Sequence, residues 1–229
     1  DSGTGRWTVI KIPTLSFYEY CQLLQLDDMP LLPDHLKITD IPKMENAEVA
    51  DLMARFEPLV KHFNRYLTIG GFPELALSDD DLYAQRMLRE DVVDKVIKRD
   101  VLTLFKVRSP LLMEKLFLYL CMNSTEIFSA TTAAKELDNI SPNTIESYVD
   151  ALVKSNLIYM AYPIAVGSKS VLKGRPKIYI ADAAIRNAVL MVDDVLSDER
   201  ELGLLIETTV YKHLVSFYQG TGAQLGYYR

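Results

Sequence analysis

Ser141-Pro142-Asn143-Thr144-Ile145-Glu146-Ser147-Tyr148-Val149-Asp150-Ala151-Leu152-Val153-Lys154 is the stretch whose reading decides the fold. Serine is a favoured N-cap, and proline suits the first helical position because its missing N–H would be unbonded there anyway. Ile145, Tyr148, Val149, Leu152 and Val153 recur at the three- and four-residue spacing of one helical face. The stretch is therefore an amphipathic helix. Upstream, Asp138-Asn139-Ile140 is a turn, and Ala130 to Leu137 is a helix whose Ala133 and Ala134 let a neighbour approach closely. Before it, Pro110 to Met122 places Leu112, Leu116, Tyr119 and Leu120 on one side of a further helix. Downstream, Leu157 to Pro163 and Lys177 to Ala181 are rich in β-branched and aromatic residues and read as two strands. The order helix, helix, helix, strand, basic loop, strand is that of a winged helix, with a helix-turn-helix pair as its second and third helices.

Toward the N-terminus the pattern is helical again. Val49, Leu52, Met53 and Phe56 share a face, and Pro58 starts another helix through Leu59, Val60 and Phe63. Gly70-Gly71-Phe72-Pro73 is a turn in which glycine supplies positive φ, and Asp79-Asp80-Asp81 sets acids at a helix N-terminus, where the dipole favours them. A long helix follows, with Leu82, Leu88, Val92, Val93, Val96, Ile97, Val101 and Leu104 predicted to face inward. Residues 7–12 form a short β-prone run, and 28–40, rich in Pro and Asp, is a loop. Beyond Asp182 come a short helix, an acidic loop from Asp193 to Glu201, an amphipathic helix from Gly203 to about Tyr218, and the opening of a strand at Gly226. The fold class is mainly α with small β.

The chain has 229 residues, 49% of them hydrophobic and 24% charged, enough for one large or two to three small packed domains. A net charge of -6 repels nucleic acid and anionic lipid at long range, so any nucleic-acid contact is local. Cys21 and Cys121 stand in apolar stretches far apart, which suits buried thiols in a reducing, cytoplasmic setting. No apolar run reaches the roughly 18 residues of a spanning helix, which predicts no membrane partner. His35, His62 and His213 have no metal-ligand spacing to either cysteine, and no G-x-S-x-G elbow is present.

Several phrases together resemble a known family: Gly5-Arg6-Trp7, Leu15-Ser16-Phe17-Tyr18-Glu19-Tyr20, Gly70-Gly71-Phe72-Pro73-Glu74, Arg99-Asp100-Val101, Pro176-Lys177-Ile178-Tyr179-Ile180-Ala181-Asp182, and Glu207 with Val210. In order and spacing they are similar to bacterial and archaeal AAA+-type ATPases with a trailing winged-helix and restriction-endonuclease-like region. The resemblance implies a division into the tail of an ATPase core (1–27), a helical lid (28–108), a winged helix-turn-helix (109–185) and the beginning of a truncated, endonuclease-like α/β module (186–229). It also implies that the nucleotide-cradling half lies upstream, because G-x-x-x-x-G-K-[ST] occurs nowhere in the chain. ATP and magnesium are then expected in the intact parent, while this portion is expected to be no enzyme and to need no cofactor. Arg6 and Arg99 match positions that touch nucleotide phosphates in similar ATPases. Glu207 matches the helix glutamate of an endonuclease-like metal site, whose remaining ligands are not found before Arg229.

Two readings of the recognition unit stay open. In the first, duplex DNA is met by the outer face of the third helix, through Asn143, Thr144, Ser147 and Lys154, and by the basic wing residues Lys169, Lys173, Arg175 and Lys177. Glu146 and Asp150 on the same helix oppose it. In the second, the unit docks a protein or a second copy of the chain and touches no nucleic acid, the basic loop being solvated or paired with the acidic stretch 193–201.

Overall fold

Short oxygen-bearing side chains set where the helices begin. In the computed structural model, which describes residues 12–26, 29, 30, 32, 33, 36, 38–105, 107–164, 174–192 and 194–228, Ser16 opens α1 (Phe17–Leu23) with a reciprocal capping box. Glu19 N–H donates to the Ser16 hydroxyl, and Ser16 N–H to the Glu19 carboxylate at 2.7 Å. Asp80 caps α5 (Asp81–Arg89), Ser109 caps α7 (Pro110–Met122) and Ser129 caps α8 (Ala130–Glu136). Asp182 and Asp198 do the same for α10 (Ala183–Leu190) and α11 (Glu199–Phe217). At α9 (Pro142–Lys154) Ser141 holds the cap position, but its side chain makes no capping bond.

The fold is mainly α with a small three-stranded sheet, as the periodicity predicts. Ahead of α5 come α2 (Asn46–Phe56), a tight turn at Glu57–Leu59, α3 (Val60–Ile69) and α4 (Pro73–Ala76). Residues 38–43, part of the expected loop, form a 3-10 helix. Met53 is exposed, and α2 has no buried residue: its apolar face only leans on the rest. α5 does not stop at Arg89. It runs through wider i→i+5 turns, Glu90–Val101, into α6 (Leu102–Leu104). Leu88, Ile97 and Val101 are buried, whereas Leu82 and Leu104, expected inside, are exposed: Leu82 stands six residues, about 120° of helix rotation, from Leu88 within α5, and Leu104 lies beyond the wide turns. The expected strand at 7–12 lies outside the described residues except for Ile12, which is in no strand.

β1 (Ile158–Pro163) pairs antiparallel with β2 (Lys177–Ile180) in the register Ile158↔Ile180, Tyr159↔Tyr179, Met160↔Ile178 and Ala161↔Lys177. β3 (Gly226–Tyr227) adds in parallel at Tyr162 and Pro163, for a strand order β2-β1-β3. The outer edge of β2 is covered by the α7–α8 connection: Thr125 N–H donates to Ile178 O at 2.7 Å, and Phe128 N–H to Pro176 O at 2.8 Å. One continuous core takes Tyr66, Leu88 and Ile97 from the N-terminal helices, Met113, Leu116, Phe117 and Leu120 from α7, Ile145 and Leu152 from α9, and Ile158 and Ile180 from the hairpin. α7 buries Leu112, Met113, Leu116, Phe117, Leu120 and Cys121 in it, while Leu111, Leu118 and Met122 form an exposed apolar stripe on the other side of the same helix. Among the described residues no helix is long and apolar enough to cross a membrane.

Arg65 fixes the α4–α5 corner, donating to Asp81, the Tyr20 hydroxyl and the Ala76 carbonyl at 3.0 Å each, and also to the Ser78 carbonyl. Behind that corner the Gly70-Gly71 turn behaves as two different constraints. Gly70 has φ +77°, and a Cβ there would lie 2.4 Å from Asp182 Oδ1. At Gly71 the issue is space alone, since a Cβ would sit 2.2 Å from the Leu15 carbonyl oxygen. Gly70→Ala is expected to lower unfolding free energy by more than the roughly 1–2 kcal/mol of a left-handed non-glycine residue, because the clash adds to it; urea denaturation measures this.

Candidate functional site

Asp182 and Lys212 form a fully buried ion pair at 2.7 Å, each side chain 2% exposed. Asp182 Oδ2 also accepts from the Thr14 hydroxyl at 2.7 Å and from Gly71 N–H at 3.1 Å, and Oδ1 accepts from Ala184 N–H. The ammonium of Lys212 has three protons and three acceptors: Asp182, the Leu15 carbonyl at 2.9 Å and the Tyr66 hydroxyl at 2.7 Å. Tyr66 passes its own proton to Leu15 O at 2.6 Å. Burial acts to raise the Asp182 pKa, but the Lys212 charge and the hydrogen bonds from Lys212, Thr14 and Gly71 outweigh it, so the carboxyl stays below its ordinary value. Burial pushes the Tyr66 phenol far up, keeping it a neutral donor. Next to this cluster His213 Nε2 accepts from Phe17 N–H at 2.8 Å, while Nδ1 lies 2.7 Å from the Thr209 carbonyl. Both contacts are met by a neutral ring protonated on Nδ1, and burial lowers its pKa. The cluster is closed to solvent and joins four chain segments; its chemistry is that of a weld.

The surface site is built on α9 and the hairpin. Asn143 and Ser147 are exposed and Thr144 half-buried, all in the N-terminal half of α9. Two of the expected cations are paired within the chain. Lys154 is held by Asp150 at 2.5 Å, one turn earlier on its own helix. Lys177 is held by Glu207 at 2.9 Å, and the same carboxylate oxygen accepts from the Tyr179 hydroxyl at 2.9 Å. Glu207 thus sits in a protein contact between α11 and β2. Of the acidic stretch, Glu201 takes the buried Arg186 at 2.6 Å. Arg175 is exposed, and its carbonyl accepts from the Tyr227 hydroxyl. Arg99 is exposed on the wide-turned segment. Arg6, Lys169 and Lys173 lie outside the described residues.

Between α9, the hairpin, the start of α8 and α11 runs a cleft of about 810 Å³. Phe128, Tyr159, Met160, Tyr162 and Val215 line it, together with Glu146, Asp150 and Arg175. Tyr211, stacked on Tyr179 with ring centroids 4.1 Å apart, forms part of its wall. A second cleft of about 530 Å³ brings Asn143, Thr144 and Ser147 together with Arg108. Sequence reasoning missed Arg108, which stands alone just ahead of α7, and it missed the buried pair. A signal for the pair existed: Leu205, Thr208, Thr209 and Lys212 share one face of α11, and a lysine on a buried face requires a buried acid.

Residues 60–196, more than half of the chain, match the family described as Domain of unknown function (DUF8612), and the chain belongs to that family. It is 24% identical over 187 residues to an uncharacterized protein of Haemophilus influenzae, covering 80% of this chain and 40% of that protein. Two uncharacterized proteins of Methanocaldococcus jannaschii match similarly, MJ1544 at 24% identity over 78% of this chain and 40% of its own length, and MJ1637 at 30% over 74% and 35%. The chain thus spans about two fifths of the length of these relatives. No solved structure matches it.

Lys212→Met leaves Asp182 charged and unpaired in the interior, and is expected to cost about 3–5 kcal/mol in urea unfolding. The pH dependence follows from His213. Its folded pKa is lowered from the ordinary 6.5, so as pH falls the unfolded chain takes up the proton first; the contribution is whole above about 6.5 and lost below it. Stability measured from about pH 7 to pH 5 should fall, and His213→Gln should flatten that slope.

Proposed function

We propose that this chain is the recognition and coupling portion of a longer AAA+-type ATPase, catalyses nothing itself, and presents its winged-helix unit to a protein partner and not to duplex DNA. The observation that carries the choice of partner is the internal neutralisation of the expected DNA-facing cations: Lys154 and Lys177 each sit on a carboxylate of the same chain. Phosphate binding would require those pairs to be broken, beside Glu146 and Asp150 and against a net charge of -6. The aromatic and methionine lining of the neighbouring cleft is the composition of protein interfaces. In this reading ATP and magnesium are held upstream, and the working compartment is the cytoplasm, which suits two free, buried thiols. Coupling is supported by the shared core and by the Asp182–Lys212 weld, which would tie the lid-like helices to the winged-helix unit.

Arg175, with Lys169 and Lys173 in the wing, keeps duplex DNA as the competing outcome. Fluorescence anisotropy of a labelled duplex, at low and at physiological salt, separates the two. The expected result is affinity weaker than about 1 μM at physiological salt, unchanged in the Lys173→Glu/Arg175→Glu variant. Tight binding that drops steeply with salt and disappears in that variant would overturn the protein-partner reading.

A further inference from the structure

The cleft of about 530 Å³ that holds Arg108 is where the starts of two long helices come together. Ser109 and Leu112 bring the first turn of α7 to it, and Asn143 and Thr144 bring the first turn of α9; each helix is 13 residues long. A helix start carries roughly half a positive charge, so two of them beside the exposed Arg108 guanidinium make the cleft locally electropositive in an acidic chain. No carboxylate among the described residues lines it. Glu146 and Asp150 line the cleft on the other side of α9, and Asp150 is already paired with Lys154.

Tyr148, only 6% exposed, is part of the cleft wall, and its hydroxyl oxygen accepts from Ser109 N–H at 3.0 Å. Its own proton has no acceptor among the described residues. A buried donor left unmade is costly and calls for an acceptor from outside the chain. At α9 the Ser141 side chain makes no capping bond, so the Asn143 N–H in the first turn is likewise without an acceptor. The side chains of Arg108, Asn143, Thr144 and Ser147 have no partner among the described residues either. What the cleft lacks is acceptors, and the rest of its lining, Phe105, Val107, Leu112, Ile140 and Ala151, is apolar.

We propose that this cleft receives the carboxylate of an acidic residue flanked by an apolar one on the protein partner, an inference that rests on the protein-partner reading above. Arg108 pairs with the carboxylate, the Tyr148 hydroxyl and the Asn143 N–H donate to its oxygens, and the apolar neighbour covers Phe105, Val107 and Ile140. Guanidinium and carboxylate match in planar geometry, and the volume is that of a site for one such group with its neighbour. A duplex suits the cleft less well. It presents a phosphate about every 3.4 Å along each strand, so seating one brings further charges toward Glu146 and Asp150 on the same helix.

Phenylacetate, a carboxylate on an apolar ring, and its neutral counterpart phenylacetamide are the probes, titrated into the 229-residue chain and followed by amide chemical shifts. Phenylacetate should bind with Kd on the order of 1 mM and shift the amides of Ser109, Asn143 and Thr144, with phenylacetamide about tenfold or more weaker. Arg108→Gln, at an exposed and unpaired position, should weaken phenylacetate about tenfold while leaving the circular dichroism melt in place, and Tyr148→Phe should weaken it about threefold or more. Absence of those shifts at tens of millimolar, equal binding of the neutral amide, or binding untouched by Arg108→Gln overturns the site. Displacement of phenylacetate by a short DNA duplex overturns the carboxylate in favour of phosphate. Duplex binding that is lost in the Lys173→Glu/Arg175→Glu variant, with phenylacetate still bound, overturns the protein-partner reading and leaves the carboxylate site; no phenylacetate shifts and no duplex binding overturns the site and leaves that reading.

Discussion

Everything in the middle of this molecule is arranged around one charge that has no access to water. An ammonium buried at Lys212 is tolerable only if each of its protons is taken and a carboxylate stands against it, because the desolvation cost of an isolated ion in the interior is several kcal/mol. That requirement reaches into four segments. Leu15 must offer its carbonyl and Tyr66 its hydroxyl, Thr14 and Gly71 must complete the acceptor shell of Asp182, and residues 70 and 71 must be glycine so that backbone and carboxylate can meet. Asp182 is at the same time the N-cap of α10, so the pair also fixes where that helix starts. The phrases Gly70-Gly71-Phe72-Pro73 and Ile180-Ala181-Asp182, distant in sequence, are two halves of one contact.

Much of the architecture was legible because its causes are local. The extent of α7 and the starts of α8 and α9 follow from Ser and Pro at helix entrances and from apolar spacing, and the hairpin follows from β-branched and aromatic composition. What could not be read depends on distant chain. Leu104 lies beyond a stretch of wider helical pitch, to which a fixed period of 3.6 is blind. The loss of Lys154 and Lys177 as free cations needs, in the second case, Glu207 thirty residues further on. A basic residue in a sequence window carries a charge, but its availability is decided by the fold.

The same logic distinguishes the arginines. Arg65 and Arg186 are used up inside: the first holds the α4–α5 corner, and the second binds the Cys121 carbonyl and Glu201. Their partners explain them. Arg86, Arg89, Arg108 and Arg175 lack such explanations, and in an acidic chain they are the positions where an external anion or carboxylate finds least competition. Two of them, Arg86 and Arg89, lie one helical turn apart and line the same cleft. The others stand singly beside neutral or acidic neighbours, Arg108 with Asn143, Thr144 and Ser147, Arg175 with Glu146 and Asp150.

In the proposed reading, coupling between an upstream motion and the α9 face would pass through the core that α7 shares with the N-terminal helices and the hairpin. α7 is held on one broad side, where Leu112, Met113, Leu116, Phe117, Leu120 and Cys121 are buried, while Leu111, Leu118 and Met122 leave its other side exposed. The Asp182–Lys212 weld closes the remaining freedom at the α10 and α11 side. In that reading a displacement imposed on the helices around Tyr66 and Leu88 would reach the hairpin through this shared core.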